Sequence, residues 1–283
     1  MNIHLKKRFF HRLSGFLALI LLSAFSVLKQ PFQQIEQIGA EHFDADLPQK
    51  NNSAFREGEE LKYRLHYGLI NAGEAVLEVR PQLKEFGGRK VYHIIGKGYT
   101  TGTTDWFFKV RDRYETYLDR DALLPWYFVR RVDEGGFRFN QDYVFDHFSN
   151  KVDIGNNQKV DIPSGVQDMV SAFYAARNLD LSKAREGDVY SLTCFMDKEI
   201  WPLKIRFIGR EVLKTDIGAL HCMVFRPVVQ KGRVFKQDED LTVWISDDLN
   251  RIPVCVEAKI LVGSVKMEIS SFRNLAHDLN RAK

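Results

Sequence analysis

The side chains able to do chemistry are present in this sequence but scattered. Its 283 residues include eight histidines, and no two stand four apart, as a helical metal-binding pair requires. His221 and Cys222 are neighbours in a strand-like run, so their side chains point to opposite faces and cannot act as a nucleophile and its base. The GxSxG, HExxH, GxGxxG and phosphate-loop spacings are absent. Asp105, Asp112, Glu115, Asp119 and Asp121 form the densest group of carboxylates, but Lys109, Arg111, Arg113 and Arg120 interleave with them. That mixture reads as a solvated face of weak ion pairs rather than a two-carboxylate glycosidase site. Cys194, Cys222 and Cys255 each lie inside an apolar run with no CxxC spacing, and read as small buried hydrophobes. No catalytic residue, metal or cofactor is expected.

The elements that must carry these residues are mostly strands. Leu61, Tyr63, Leu65 and Tyr67 alternate with Lys62, Arg64 and His66, and Glu74 to Val79 follows the turn-forming Asn71-Ala72-Gly73, which together predict a hairpin. Val91 to Ile95, Phe137 to Phe145 and Trp201 to Phe207 continue the rhythm. A C-terminal meander is predicted from Leu241, Val243 and Ile245, then Val254 to Ile260, then Val265, Met267 and Ile269. One segment departs from period two. Ser164 and Gln167 resemble a capping box, and Val166, Met169, Val170, Phe173 and Ala176 recur at helical spacing, which predicts a helix over 165–179.

The N-terminus reads as an export signal. Lys6, Lys7, Arg8 and Arg12 precede an uncharged apolar run, Phe16 to Leu28, of 13 residues. A membrane-spanning helix needs roughly 20 residues, so no transmembrane anchor is expected in the mature chain, with an inner-membrane-anchored, periplasm-facing form as the alternative. Residues 1–28 are assigned to the signal peptide, 29–54 to a polar linker with one short amphipathic turn around Phe32 to Ile38, and 55–275 to one antiparallel β domain. The strand sets 55–160 and 185–275 are compatible with two quasi-repeated halves around the helix. Without the basic signal, the formal charge of +4 becomes near neutral, so no nucleic-acid partner is expected.

Aromatic residues make up 12% of the chain and crowd one region: Trp106-Phe107-Phe108, Trp126-Tyr127-Phe128, Phe137, Phe139, Tyr143, Phe145 and Phe148. Consecutive aromatics on a strand present apolar surface to both faces of a sheet. One helix covers only one face. The second must meet another core, a partner or an apolar ligand.

Taken together, these segments resemble a known family. Phe55-Arg56-Glu57-Gly58-Glu59-Glu60-Leu61-Lys62-Tyr63, Tyr67 to Ala75, Asp168 to Arg177, Trp244-Ile245-Ser246-Asp247-Asp248, Arg251-Ile252-Pro253 and Gly263-Ser264-Val265 occur in the order seen in the exported bacterial family known as domain of unknown function 3108. The resemblance runs from 55 to 272 and implies a cell-envelope protein of Gram-negative bacteria of the Bacteroidetes type, with no known reaction. A more distant, architectural similarity connects the chain to periplasmic lipoprotein carriers, half-barrels that hold acyl chains in their hollow.

The expectation is therefore a mainly β protein with a strongly curved antiparallel sheet, half-barrel or clam-like, and one central helix. It would be a non-catalytic periplasmic binder or carrier of a lipid, lipoprotein or other apolar ligand. The alternatives are a scaffold that binds an envelope protein partner around a filled core, and, third, a hydrolase. Val166, Met169, Val170 and Phe173 on the helix, with Trp126, Phe128, Phe139 and Tyr143 on the sheet, are expected to line an apolar cavity beneath a helical lid.

Overall fold

The computed structural model describes residues 31–42, 46–156, 158–228, 241–259 and 264–283; the signal segment and Ile260 lie outside them. Among the described residues, alternating apolar side chains build one antiparallel sheet of fifteen strands that does not close. The first meander holds β1 (Glu60–Tyr67), β2 (Ile70–Val79), β3 (Lys84–Phe86), β4 (Arg89–Thr100), β5 (Arg111–Asp119), β6 (Pro125–Glu134), β7 (Phe137–Asp146), β8 (Lys151–Asp153) and β9 (Lys159–Asp161). The second holds β10 (Val189–Met196), β11 (Glu199–Thr215), β12 (Gly218–Pro227), β13 (Leu241–Ser246), β14 (Pro253–Lys259) and β15 (Ser264–Arg273). β1 pairs with β15, so the first and last strands join the two meanders at the middle of the sheet. The first hairpin turns at Gly68-Leu69 rather than at Asn71-Ala72-Gly73, because those three residues already belong to β2, where Gly73 lies against the backbone of Thr100.

Two apolar clusters sandwich the aromatic strands. In the first, Phe128, Tyr143 and Phe145 pack with Ile94, Leu118, Tyr174 and Phe195. The second gathers Trp126, Tyr127, Tyr117, Val91 and Phe86 on the opposite face. A bulge makes this division: Tyr117 faces Tyr127 and Leu118 faces Pro125, which leaves Trp126 unpaired and turns it to the same side as Tyr127.

The cover for that second face is a helix, α1, over 31–41. The polar-linker expectation for 29–54 is corrected here. Ile35 is fully buried and Ile38 nearly so, and Phe32 meets the rings of Phe86, Tyr117 and Tyr127 with centroids 5.2 to 5.6 Å apart. Contact is close enough to require glycine, since a Cβ on Gly39 would stand 2.3 Å from the Cα of Gly87. Leu47 and Ala54 are buried as well, so ordered structure begins well before Phe55.

The central helix, α3, spans Met169–Ala176 instead of 165–179. Gln167 pairs in parallel with β10, its N–H donating to the Thr193 carbonyl at 2.8 Å and its carbonyl accepting from Phe195 at 2.7 Å. That extended segment covers the edge of the sheet and cannot be helical, so the cap falls at Asp168, whose carboxylate accepts from the N–H groups of Val170 and Ser171. Ser171 returns the bond to the Asp168 N–H, completing the capping box that the sequence suggests for Ser164 and Gln167.

Candidate functional site

The eight residues expected to line a cavity divide into three places. Val166, Val170, Phe128 and Tyr143 are buried in one cluster, with Phe173 at its margin. Side chains occupy the space between α3 and the sheet: Phe128 stacks on Tyr143 at 5.9 Å between centroids, Tyr143 meets Phe195 edge-on at 5.0 Å, and Phe55 meets Tyr174 at 4.8 Å. Trp126 lies in the opposite cluster beneath α1, for the bulge reason given above. Met169 is exposed, and Phe139 lies half-buried under the Arg130 guanidinium, 5.2 Å from its ring.

Large apolar side chains are exposed at several places on the surface, and the most exposed of them gather at one end of the sheet. Three connections meet there: the Gly68-Leu69 tip between β1 and β2; the short helix α2 (Gly102–Phe107), which links β4 to β5; and the Gly135-Gly136 tip between β6 and β7. Hydrogen bonds tie them together, with Thr101 N–H donating to Ala72 O at 3.2 Å and Gly135 N–H to Lys109 O at 2.8 Å. Leu69 is fully exposed, Trp106 is 82% exposed and Phe107 77%, while Ile70, Phe108 and Phe137 each show more than half of their surface. These are costly positions for large apolar side chains unless something covers them.

Local chemistry holds the rim in place. Asp105, in the first turn of α2, accepts from Thr100 Oγ1 at 2.7 Å and from both Arg111 nitrogens at 2.6 and 3.0 Å. The Arg111 guanidinium keeps its carboxyl down at about 2. Arg138 pairs with Asp133 at 3.0 Å beside the third tip. The ion pairs therefore cancel much of the charge beside the exposed aromatics. Trp106-Phe107-Phe108 is legible in the sequence as an aromatic run, but its exposure is not, because that depends on which ends of the strands come together.

The buried polar groups are placed for structure. Asp168 is fully buried, and burial pushes its carboxyl up to about 6 although Thr116, Val170 and Ser171 all donate to it. Burial also raises the thiols of Cys194, Cys222 and Cys255 to about 12, and all three are free. His147 is nearly inaccessible. Its Nε2–H donates to Pro125 O at 2.7 Å, while Nδ1 has no partner among the described residues. Desolvation lowers its pKa to about 4. The imidazole is thus neutral in the fold and gains a proton on unfolding below about pH 6.5. Its contribution is complete above that pH and lost as the pH falls from 6.5 to 4, a span worth about 3 kcal/mol. Asp168 acts in the opposite sense over nearly the same window, so the wild-type profile is flattened. Chemical denaturation of His147→Phe between pH 7 and 4.5 should show a gain relative to wild type that grows as the pH falls; parallel profiles would place His147 in contact with water.

An open, curved, antiparallel sheet with aromatic clusters packed on both faces and an apolar rim at one end defines a barrel-like, mainly β protein. The chain belongs to the family described as "Protein of unknown function (DUF3108)", whose model matches residues 62–270. One solved structure agrees on the fold. A β-barrel-like protein of domain of unknown function DUF1849 from Brucella abortus superposes with a TM-score of 0.50 at 12% identity, covering 80% of this chain and all of that one. A DUF1089 family protein from Pseudomonas aeruginosa is more distant, with a TM-score of 0.35 at 8% identity over 74% of this chain and 92% of that one. No curated protein matches the chain. Among the described residues no helix is long and apolar enough to cross a membrane, and no group of three or more histidine, cysteine or acidic side chains is arranged to hold a metal ion.

Proposed function

We propose that this protein is a non-catalytic, exported component of the bacterial envelope that binds lipid at its aromatic rim rather than inside its core. The observation that carries the proposal is the exposure of Leu69, Trp106, Phe107 and Phe137 on adjoining tips of one sheet end. Tryptophan and phenylalanine at protruding tips suit the boundary between headgroups and acyl chains, where an aromatic ring sheds water without needing a complementary pocket. Internal pairing of Asp105 with Arg111 and of Asp133 with Arg138 favours a neutral, apolar contact over an electrostatic one. Inserting four such side chains yields several kcal/mol at about 1.5–3 kcal/mol each, before ordering costs, which corresponds to reversible peripheral binding.

Co-sedimentation with phosphatidylethanolamine/phosphatidylcholine vesicles tests this. Wild-type protein should bind with little dependence on salt, and Trp106→Ala with Phe107→Ala should lower binding at least tenfold without changing the circular dichroism. Equal binding by the variant, or none by wild type, would remove the proposal. The filled space between α3 and the sheet favours one further reading, a scaffold that contacts an envelope protein through the same rim. In that case the rim variant loses a protein complex while vesicle binding is absent from the start.

A further inference from the structure

A second site of different chemistry lies on the face of the sheet that carries α1. A groove of about 530 Å³ opens between the 80–83 turn, β3, β4 and β5, lined by Arg80, Lys84, His93, Ile95, Lys97 and Arg113 among others. Its floor is buried, with His93 and Ile95 both under 10% exposed, while its walls are cationic. The strand register makes the arrangement costly. Lys97 stands directly opposite Arg113, and Arg113 directly opposite Arg131, so three cations form a ladder across adjacent strands. Like charges in that position repel one another and destabilise a sheet.

The local carboxylates cancel only part of this charge. Glu78 pairs with Arg80 at 2.6 Å, Glu115 with Arg113 at 2.6 Å and with His93 at 2.5 Å, and Asp142 with Arg131. Lys84 and Lys97 have no carboxylate partner among the described residues. Lys84 is instead held by aromatic groups: its Nζ lies 4.9 Å from the Tyr117 ring centroid, 5.7 Å from that of Phe32, and 3.5 Å from the Tyr117 hydroxyl. Burial lowers its pKa, against the attraction of Glu115 and with the repulsion of Arg80. An ammonium fixed over rings at the rim of a cavity, beside a second unpaired lysine and a half-satisfied arginine, is poised for an anion from outside.

The groove has two uncompensated positive charges, and a phosphomonoester carries about −1.5 to −2 at neutral pH. We infer that it binds a phosphate group, with Lys84 and Lys97 supplying the charge and Arg113 the planar donor fork. The inference does not depend on the rim. The group can arrive on a lipid headgroup or on a soluble phosphorylated molecule, and the test separates the two.

Inorganic phosphate is titrated into the full chain at low salt while thermal unfolding and heat of binding are followed. Wild type should bind saturably and gain several degrees in Tm. Lys84→Gln with Lys97→Gln should lower affinity at least tenfold and abolish the shift, and Lys97→Gln alone should unfold at a higher temperature than wild type when phosphate is absent, because its repulsion with Arg113 is gone. Lys159→Gln, on a distant strand, should behave as wild type. A second arm uses phosphatidic acid vesicles and a chain already carrying Trp106→Ala and Phe107→Ala, so that rim binding does not contribute. Vesicle binding abolished by the lysine substitutions assigns a headgroup; phosphate binding alone assigns a soluble ligand. No phosphate-dependent shift, or the same shift in the lysine variant, overturns the inference.

Discussion

Replacing Arg177 with methionine should destabilise the protein by about 3–5 kcal/mol, the largest effect expected of any single substitution outside the hydrophobic clusters. Its guanidinium is 2% exposed and grips the fully buried Glu59 carboxylate with two bonds of 2.6 and 2.8 Å. It also donates to Asn250 O and Ala54 O, each at 2.8 Å, and lies over the rings of Tyr174 and Phe55. One side chain therefore fastens the end of α3 to the strand leading into β1 and to the turn before β14. Removing it strands a buried carboxylate. Glu59→Gln should cost somewhat less, because the amide still accepts a bond. The double variant Arg177→Met with Glu59→Leu should be more stable than either substitution that leaves one charge alone, since the desolvation penalty disappears with both ions. Urea unfolding of the four proteins measures this, and additive losses would show that the two side chains are not coupled.

The segments that meet there are among those whose order in the sequence resembles the family: the Phe55 to Tyr63 stretch, the Asp168 to Arg177 stretch that carries α3, and the turn between Trp244-Ile245-Ser246-Asp247-Asp248 and Arg251-Ile252-Pro253. Their chemistry is legible in the sequence only as scattered charge. That Glu59 and Arg177, 118 positions apart, form one buried pair depends on the closure of β1 against β15.

The second large effect concerns α1. Ile35→Asp places a carboxylate in a fully buried site against Trp126 and Tyr127, and should cost on the order of 4 kcal/mol and expose enough apolar surface to bind a hydrophobic dye. Gln33→Asp, on the exposed face of the same helix, should be silent. A polar tether would leave both substitutions without effect. The sequence shows this helix only as a short amphipathic turn around Phe32 to Ile38, because Gln33, Gln34, Glu36 and Gln37 dominate its composition, and Phe32, Ile35 and Ile38 become a buried face only once the sheet is there to receive them. An apolar guest is expected only where the second sheet face has no cover. α1 is that cover.

The longer strands with clear alternation, such as β1, β7 and those of the C-terminal meander, were legible because alternation is a local property of the chain, whereas β5, dense in charge, and the three-residue β3, β8 and β9 were not. The Trp126 bulge, the turn at Gly68 and the start of α3 were not, since each is decided by a partner strand: Leu118 against Pro125, Gly73 against Thr100, and Gln167 against β10. The rim follows the same logic. An aromatic run in sequence becomes an exposed edge only when α2 is tied beside two hairpin tips.

Fluorescence quenching by vesicle lipids tests the rim directly, because Trp106 is the most exposed of the four tryptophans, whereas Trp126 is buried. With phosphatidylcholine brominated high on its acyl chains, wild-type emission should fall on mixing, and Trp106→Phe, which keeps the apolar contact, should still bind the vesicles while losing that quenching. Protein that binds the vesicles with Trp106 unquenched would contradict the account, because the lipid would then be held somewhere other than the aromatic rim.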